Sequence, residues 1–374
     1  MSARFWCLAA LFHVAIAVAS LLVWRGLRPR ASGWAASVAA RGVLSAALVL
    51  AAALVLSRPL HDARFAMVRL LSQAVFAEGP VLCAWLALRH GEAGHVVRRL
   101  AALAGVALLL VVYWMAYHVG PNDLRISRYT LQLPGPGLGR RVRLVHVSDL
   151  QAWRVGRYET RVLRQVMALR PDLLALTGDY VQDRGLRERA EIARDLRDEL
   201  RRQGVAAPLG AFAVWGNTDR FSRHLFDGLP IRVLEDEGAV VDLPGGRTLG
   251  IAGVGWRESM QGRARGVQKV LAGMPATDFC MVLGHAPDFA VPASEQLAVD
   301  LILAGHIHGG QVVLPGLGPL LTLSDAPRDL AAGGWHVSHG TAIHVSRGVG
   351  LERGSAPQIR FLCPPEITLI ELRY

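Results

Sequence analysis

From Phe5 to Trp24 the chain runs for about 20 residues without a charged side chain, enough for a helix to cross a ~30 Å hydrocarbon core. Three further apolar runs follow before residue 118: Gly42–Ser57 between Arg41 and Arg58, Leu70–Leu88, and Leu100–Tyr117, which ends in the aromatic residues that often anchor a helix at an interface. The third run contains Glu78 and Pro80. It is read as a span whose carboxylate is paired inside a small bundle, because open loops between two spans are rarely so apolar. Ala17-Val-Ala-Ser20 has the small residues of a signal cleavage site, yet Leu21, Leu22, Val23 and Trp24 continue the run. An anchor is therefore expected in place of a cleaved leader.

The expected organisation is a transmembrane region over residues 1–118 with four helices at about 5–24, 42–57, 70–88 and 100–117. A linker with a first strand follows over 119–141, and a second domain over 142–374. Arginines crowd the loops after the first span (Arg25, Arg28, Arg30, Arg41) and the third (Arg89, Arg98, Arg99), whereas Arg58 and Arg64 are offset by Asp62. With four spans, the positive-inside rule puts both rich loops in the cytoplasm and everything after residue 118 on the other side. Losing the third span reverses that assignment.

Composition narrows the alternatives. With 52% hydrophobic residues, 19% charged and only 4 cysteines in 374 residues, the chain is neither a disordered polymer nor a disulfide-stapled scaffold. Cys7 and Cys83 lie in apolar runs and Cys280 and Cys363 in strand-like ones; free thiols are the default, with a Cys280–Cys363 bridge left open. The net charge of +11 does not indicate nucleic acid, since Lys269 is the single lysine and no basic-aromatic surface pattern stands out. Arginine beside anionic lipid headgroups explains the excess more simply.

After the Gly/Pro-marked stretch from Pro134 to Gly139, short apolar runs alternate with charged helical ones such as Arg184–Arg202, the pattern of an α/β domain. How the strands end is informative. Arg143-Leu-Val-His-Val-Ser-Asp149 and Leu173-Leu-Ala-Leu-Thr-Gly-Asp179 stop at carboxylates, and Ala211-Phe-Ala-Val-Trp-Gly-Asn217 at an amide. Cys280-Met-Val-Leu-Gly-His285 and Leu301-Ile-Leu-Ala-Gly-His306 stop at histidines, the last followed by Ile307 and His308. Functional groups of open α/β sheets gather at the carboxyl ends of strands, and a glycine before most of these residues allows close backbone approach. Carboxylate, amide and imidazole together suit divalent Mn, Fe, Zn or Mg. Two carboxylates with three histidines exceed the needs of one catalytic ion, so two metals bridged by a carboxylate are expected, an arrangement suited to attack on phosphorus.

In order, spacing and strand context these blocks resemble the calcineurin-like metallophosphoesterases, in particular their membrane-anchored bacterial branch. The likeness rests on Asp149, Gly178-Asp179, Gly216-Asn217, Gly284-His285 and Gly305-His306-Ile307-His308, continues into Gly309-Gly310-Gln311, and includes the tail Arg360–Glu366. It implies a four-layer αββα sandwich with a dinuclear site, preceded by the α-helical transmembrane region, in a multi-pass protein of a bacterial inner membrane with the catalytic domain outside the cytoplasm. Carried over position by position, Asp149 and His308 hold the first metal, Asn217, His285 and His306 the second, and Asp179 bridges. A metal-activated hydroxide is the implied nucleophile.

Two positions depart from the family pattern. Where it reads Asp-x-His, this chain has Asp149-Leu150-Gln151; the amide oxygen of Gln151 keeps the ligand count and leans that site toward Mn or Mg. Where it reads Gly-Asn-His followed by Asp or Glu, this chain has Gly216-Asn217-Thr218-Asp219, and threonine cannot replace a general acid worth 10²–10⁴-fold. Either the leaving group departs unprotonated, as from a pyrophosphate or activated diester, or His224 supplies the proton and Arg220 stabilises charge. The expectation is a metal-dependent phosphoesterase acting on a phosphorylated lipid or cell-envelope component, with Thr218, Arg220 and Arg347 toward substrate, a structural ion pair being the safer reading of Arg347. The alternative is an impaired pseudoenzyme that binds a phosphorylated ligand or partner. His146, inside an apolar strand, reads as a satisfied core histidine.

Overall fold

The computed structural model describes all residues except 1–2, 27–33, 60–62, 90–95, 136–138, 183–185, 323 and 355. Arg28, Arg30 and Asp62, used above for orientation, lie outside the described residues, as do Pro136, Gly137 and Arg184. The chain divides into two compact units, Met1–Met115 with Arg353–Gln358, and Ala116–Glu352 with Ile359–Tyr374.

The first unit is helical: α1 (Ala3–Gly26), α2 (Trp34–Ser57), α3 (Ala63–Gln73), α4 (Gly79–Arg89) and α5 (Val96–Trp114). Phe5, Ala9, Phe12 and Ile16 of α1 pack with Ala53 of α2 and with Ala66, Leu70 and Ala74 from the third segment. That segment is continuous from Ala63 to Arg89, α3 and α4 being joined by a π-helical turn at Ala74–Glu78. Pro80 accounts for the wide turn: it has no N–H to donate and its ring crowds the carbonyl four residues earlier, so the backbone loosens there. Glu78 ion-pairs with His13 of α1, the intra-bundle pairing its position suggests.

The outer faces of these helices are as apolar as the inner ones. Among the described residues, 24 of the 32 exposed large hydrophobic side chains fall before residue 120, including Leu22, Val43, Val81 and Val97. Ala63–Trp85 and Arg99–Asn122 are long and apolar enough to cross a membrane by length and composition, while the described apolar stretches Phe5–Ser20 and Arg41–Ser57 are shorter.

The second unit is built on two six-stranded mixed sheets. One has the order β1 (Arg125–Gln132), β14 (Glu366–Arg373), β2 (Arg141–Val147), β3 (Leu173–Leu176), β4 (Ala211–Ala213), β5 (Ile231–Val233). The other runs β12 (Gly334–Ser338), β13 (Thr341–Val345), β9 (Leu301–Ala304), β8 (Phe279–Leu283), β7 (Arg247–Gly253), β6 (Glu237–Leu243). A two-stranded ribbon, β10 (Val313–Leu314) with β11 (Gly318–Pro319), lies apart from both. Strands β2, β3 and β4 are parallel neighbours, as are β7, β8 and β9, so each sheet has a central parallel block whose carboxyl ends point the same way.

Three buried clusters show why strand residues alternate in destination. Leu144, Leu173, Ala175 and Phe212 of the first sheet meet Leu249, Ile251, Met281, Leu283 and Leu303 of the second. Residues one position along, Val145, Leu174 and Leu176, face the other way onto Val162, Leu163 and Val166 of α6 (Arg157–Ala168) and Leu196 and Leu200 of α7 (Leu186–Arg202). Ala252, Val282 and Ile302 turn outward onto Val267 and Val270 of helix Arg265–Ala272 and Ala293 of helix Ala290–Gln296. Both sheets are thus covered on both faces, and β3, β4, β8 and β9 carry continuous apolar runs with no polar alternation.

All four cysteines are free, so the open Cys280–Cys363 bridge is not made. Burial pushes the Cys280 thiol up to about 11 and also raises that of Cys363, keeping both unreactive.

Candidate active site

The site assembles just beyond the carboxyl ends of β2, β3 and β4 of one sheet and β8 and β9 of the other. The strands stop before the residues at which the sequence runs were read to end: β2 at Val147, β3 at Leu176, β4 at Ala213, β8 at Leu283 and β9 at Ala304. For β2, β3 and β9 the reason lies in the backbone. Asp149 (φ 54°), Gln151 (φ 42°), Asp179 (φ 56°), His306 (φ 73°) and His308 (φ 53°) all adopt the left-handed region, which a strand cannot contain. Five of the ten non-glycine residues with positive φ among those described are therefore candidate ligands, a concentration of backbone strain found where function over-determines geometry. Two glycines make the convergence sterically possible: a Cβ at Gly216 would overlap Asp179 Oδ1, and one at Gly305 would overlap the Ser148 hydroxyl and Asp149.

One group centres on His285. Its Nε2 lies 3.0 Å from Asn217 Oδ1, 3.1 Å from His306 Nδ1 and 3.4 Å from Asp179 Oδ1. Nδ1–H of His285 donates to the Thr177 carbonyl at 2.7 Å, which fixes the ring and directs Nε2 into the group. Ligand atoms of Asp179, His285 and His306 all lie within 4.8 Å of one another, a donor set that fits a divalent cation. Burial works against charging His285, but the carboxylates of Asp179 and Asp149 outweigh it and push its pKa up to about 10. Burial also opposes ionisation of Asp179, yet His285 beside it holds that carboxyl below its ordinary value. His306 is lowered to about 4 by burial and by the neighbouring His285 charge. A proton and a cation compete for the His285 lone pair.

The second group centres on Asp149. His308 Nε2 lies 3.5 Å from Asp149 Oδ1, is shut off from solvent and makes no hydrogen bond, as a ring nitrogen reserved for a cation would be. The backbone N–H of His306 donates to both Asp149 oxygens (3.1 and 3.0 Å), and burial pushes that carboxyl up to about 7. Gln151 is fully buried, and its Nε2 donates to Asp179 Oδ2 at 3.3 Å, so Asp179 touches both groups.

Asn217 and Asp179 are thus brought together with the metal-ligand candidates, but His224 is not: its ring is exposed and paired with Asp227 at 3.1 Å. Thr218 is buried at the site, with its N–H donating to Asp179 Oδ1 at 2.9 Å and its hydroxyl enclosed without a hydrogen-bond partner. Arg220 is exposed beside the Phe221 ring, and Arg347 donates to Glu366 Oε2 at 2.6 Å. His146 is a satisfied core histidine, bonded to His344 at 2.9 Å and Thr177 Oγ1 at 2.8 Å.

Two residues matter here to which the sequence reading assigned no role. Asp219 accepts the backbone N–H groups of Asp179 (2.7 Å), Tyr180 (2.8 Å) and Gly216 (2.8 Å), tying the second and third loops together. Its place two residues after Asn217 was the available signal. Arg360, fully buried, donates to the carbonyls of Arg347 (2.7 Å), Gly348 (3.1 Å), Gly350 (2.7 Å) and Cys363 (3.2 Å) and lies 3.3 Å from His308 Nδ1. Arg360 heads the tail already noted for its family likeness, but nothing local marks which carbonyls and which ring it would serve.

A family model described as calcineurin-like phosphoesterase matches residues 142–310. A metallophosphoesterase of Aquifex aeolicus is 27% identical over 281 residues, covering 72% of this chain and 98% of that protein. The phosphodiesterase YaeI of Escherichia coli is 31% identical over 213 residues, covering 54% of this chain and 71% of its own. The UDP-2,3-diacylglucosamine pyrophosphatase LpxG of Chlamydia trachomatis is 25% identical over 337 residues, covering 73% of this chain and 97% of its own.

Proposed function

The chain belongs to the calcineurin-like phosphoesterase family and is a phosphoesterase hydrolase, and on that premise we propose that it is a membrane-anchored enzyme cleaving a pyrophosphate or activated phosphodiester of an amphiphilic, lipid-like substrate with two divalent cations. The observation that carries this reading is the convergence of Asp149, Asp179, Asn217, His285, His306 and His308 at the carboxyl edges of two sheets. Asp149, Gln151 and His308 would hold one cation, Asn217, His285 and His306 the other, with Asp179 shared. Divalent cations, when bound, supply positive charge that neutralises phosphate oxygens and makes a water more acidic.

The protein's own groups account for the rest. The Thr177 carbonyl holds the His285 ring, the Thr218 N–H holds Asp179, and Asp219 holds the loops that carry both. No imidazole stands at position 218 to protonate a leaving group, which favours substrates whose leaving oxygen is already stable as an anion. The names of two relatives, a pyrophosphatase of a diacylated sugar nucleotide and a phosphodiesterase, are in keeping with that choice. Retention of six donors argues against the impaired pseudoenzyme. The exposed apolar faces of the N-terminal helices support anchoring, the arginine-rich loops after the first and third runs favour a catalytic domain outside the cytoplasm of a bacterial inner membrane, and tethering to a bilayer raises the effective concentration of amphiphilic substrates.

The test is hydrolysis by the purified full-length chain in detergent with Mn²⁺, comparing an aryl phosphodiester, a phosphomonoester and a lipid-linked pyrophosphate. Cleavage of the pyrophosphate or diester above the monoester is expected. No cleavage of any of them, together with fewer than one Mn²⁺ bound per chain, overturns the enzyme reading.

A further inference from the structure

Gln151 stands where the family pattern has a histidine, and an amide brings a difficulty that an imidazole does not. Its two ends are nearly the same shape but opposite in chemistry: the oxygen ligates a cation and the NH₂ repels one. A glutamine at a ligand position therefore needs something to fix which end faces the site. The NH₂ group of Gln151 is held by two carboxylates, Asp179 Oδ2 at 3.3 Å and Glu352 Oε2 at 3.2 Å. Turning the amide over would set its oxygen against both acceptors, so together they fix its orientation.

Asp179 already belongs to the site. Glu352 has no counterpart in the motif blocks and reaches Gln151 from a loop 201 residues away in sequence. Its carboxylate is fixed in turn: Oε1 accepts from Gln182 Nε2 at 2.6 Å, and its backbone N–H donates to Gln311 Oε1 at 2.8 Å. Gln182 follows β3 and Gln311 follows His308, so the group ties together three of the loops that build the Asp149 side.

Resting on the metal-dependent reading above, we infer that Glu352 is a positioning residue: it orients the Gln151 amide so that the oxygen is presented to a cation on the Asp149 side, compensating for the missing histidine. Glu352 orders a ligand without being one. Its influence is confined to that side and vanishes if the ligand no longer has two interchangeable ends.

Mn²⁺ binding to the full-length chain, followed by calorimetry and by the Mn²⁺ electron paramagnetic resonance spectrum, tests this. Glu352→Ala is expected to weaken one of two Mn²⁺ sites by about 10- to 100-fold and leave the other unchanged, the usual size of an effect from a residue that orients a ligand. Gln182→Ala should weaken the same site by less. In a Gln151→His background, Glu352→Ala should change Mn²⁺ affinity by less than about twofold, since an imidazole needs no such orientation. Equal weakening in both backgrounds, or of both sites, overturns the positioning role. If Glu352→Ala lowers the melting temperature too far to assay, the near-isosteric Glu352→Gln takes its place, and unchanged affinity for both ions overturns the inference. A wild-type chain that binds two Mn²⁺ and hydrolyses substrate, with variants that bind equally well, removes only the role of Glu352. A wild-type chain that binds no Mn²⁺ removes the enzyme reading along with it.

Discussion

On one side of Asp179, His306 and Asn217 stand within 3.1 Å of His285 Nε2, and the His285 ring is locked by the Thr177 carbonyl. On the other side, Asp149, His308 and Gln151 are more loosely set, with 3.5 Å between His308 and Asp149, and the amide is steadied from a distant loop. The first side keeps the donors its family pattern calls for; the second has lost an imidazole and is held by Arg360 and Glu352. If Gln151 acts as a ligand, as we propose, this side uses a weaker donor that more of the surrounding chain is recruited to orient.

The largest effect is expected where the two sides meet. Asp179→Asn should lower turnover on the order of 10³-fold or more and reduce Mn²⁺ to below one ion per chain, because both sides lose a charge. One tightly bound ion remaining would show that the histidine side is self-sufficient. Asp219→Ala comes next: it strips three backbone N–H groups of a buried acceptor and should destabilise the protein by about 3 kcal/mol, read by thermal melting. Single removals should then separate the sides. His306→Ala and His308→Ala are each expected to leave about one Mn²⁺ per chain, with distinct spectra, and identical spectra would mean one shared site.

Behind the site, the pH response should come from the frame. Burial, together with His344, holds His146 well below 6.5, and Glu366 sits near 2 because, although burial raises it, His344 and Arg347 outweigh that. In both cases the unfolded chain binds more protons than the folded one, so acid destabilises. The contribution of His146 to stability should be lost as pH drops below about 6.5, opposed above about pH 4 by Asp149, whose carboxyl is raised to about 7, and that of Glu366 should be lost between about 4.5 and 2. A melting temperature that stays flat from about pH 4 to pH 2 would contradict this. The smallest effect is expected at His224. If it were the general acid, His224→Ala would cost 10²–10⁴-fold, whereas its exposed ring and its pairing with Asp227 lead us to expect less than tenfold.

Much of this was legible along the chain. Apolar runs ending in Gly-Asp, Gly-Asn and Gly-His marked the strands and candidate ligands, because strand burial and close backbone approach leave local signatures. The third helical segment was less so: Glu78 and Pro80 interrupt an apolar pattern that the protein continues by widening one turn and pairing Glu78 with His13, 65 residues away. Asp219 was visible as the acidic residue that closes the third block, but its role was not, since what it does depends on three N–H groups from two loops. Of the two readings of Arg347, substrate contact or a structural ion pair, the structure shows the ion pair, with Glu366 at the start of β14, a strand that pairs next to β2 although far from it in sequence.

The sequence by itself determined which donor types are present, their order, and the apolar character of the first 118 residues, because these follow from side-chain chemistry and short-range periodicity. Only the tertiary structure decided which donors meet, which way the Gln151 amide faces, and that His224 stays outside. Those outcomes depend on contacts between residues as far apart as Gln151 and Glu352, and such contacts exist only once two sheets have closed on a common core.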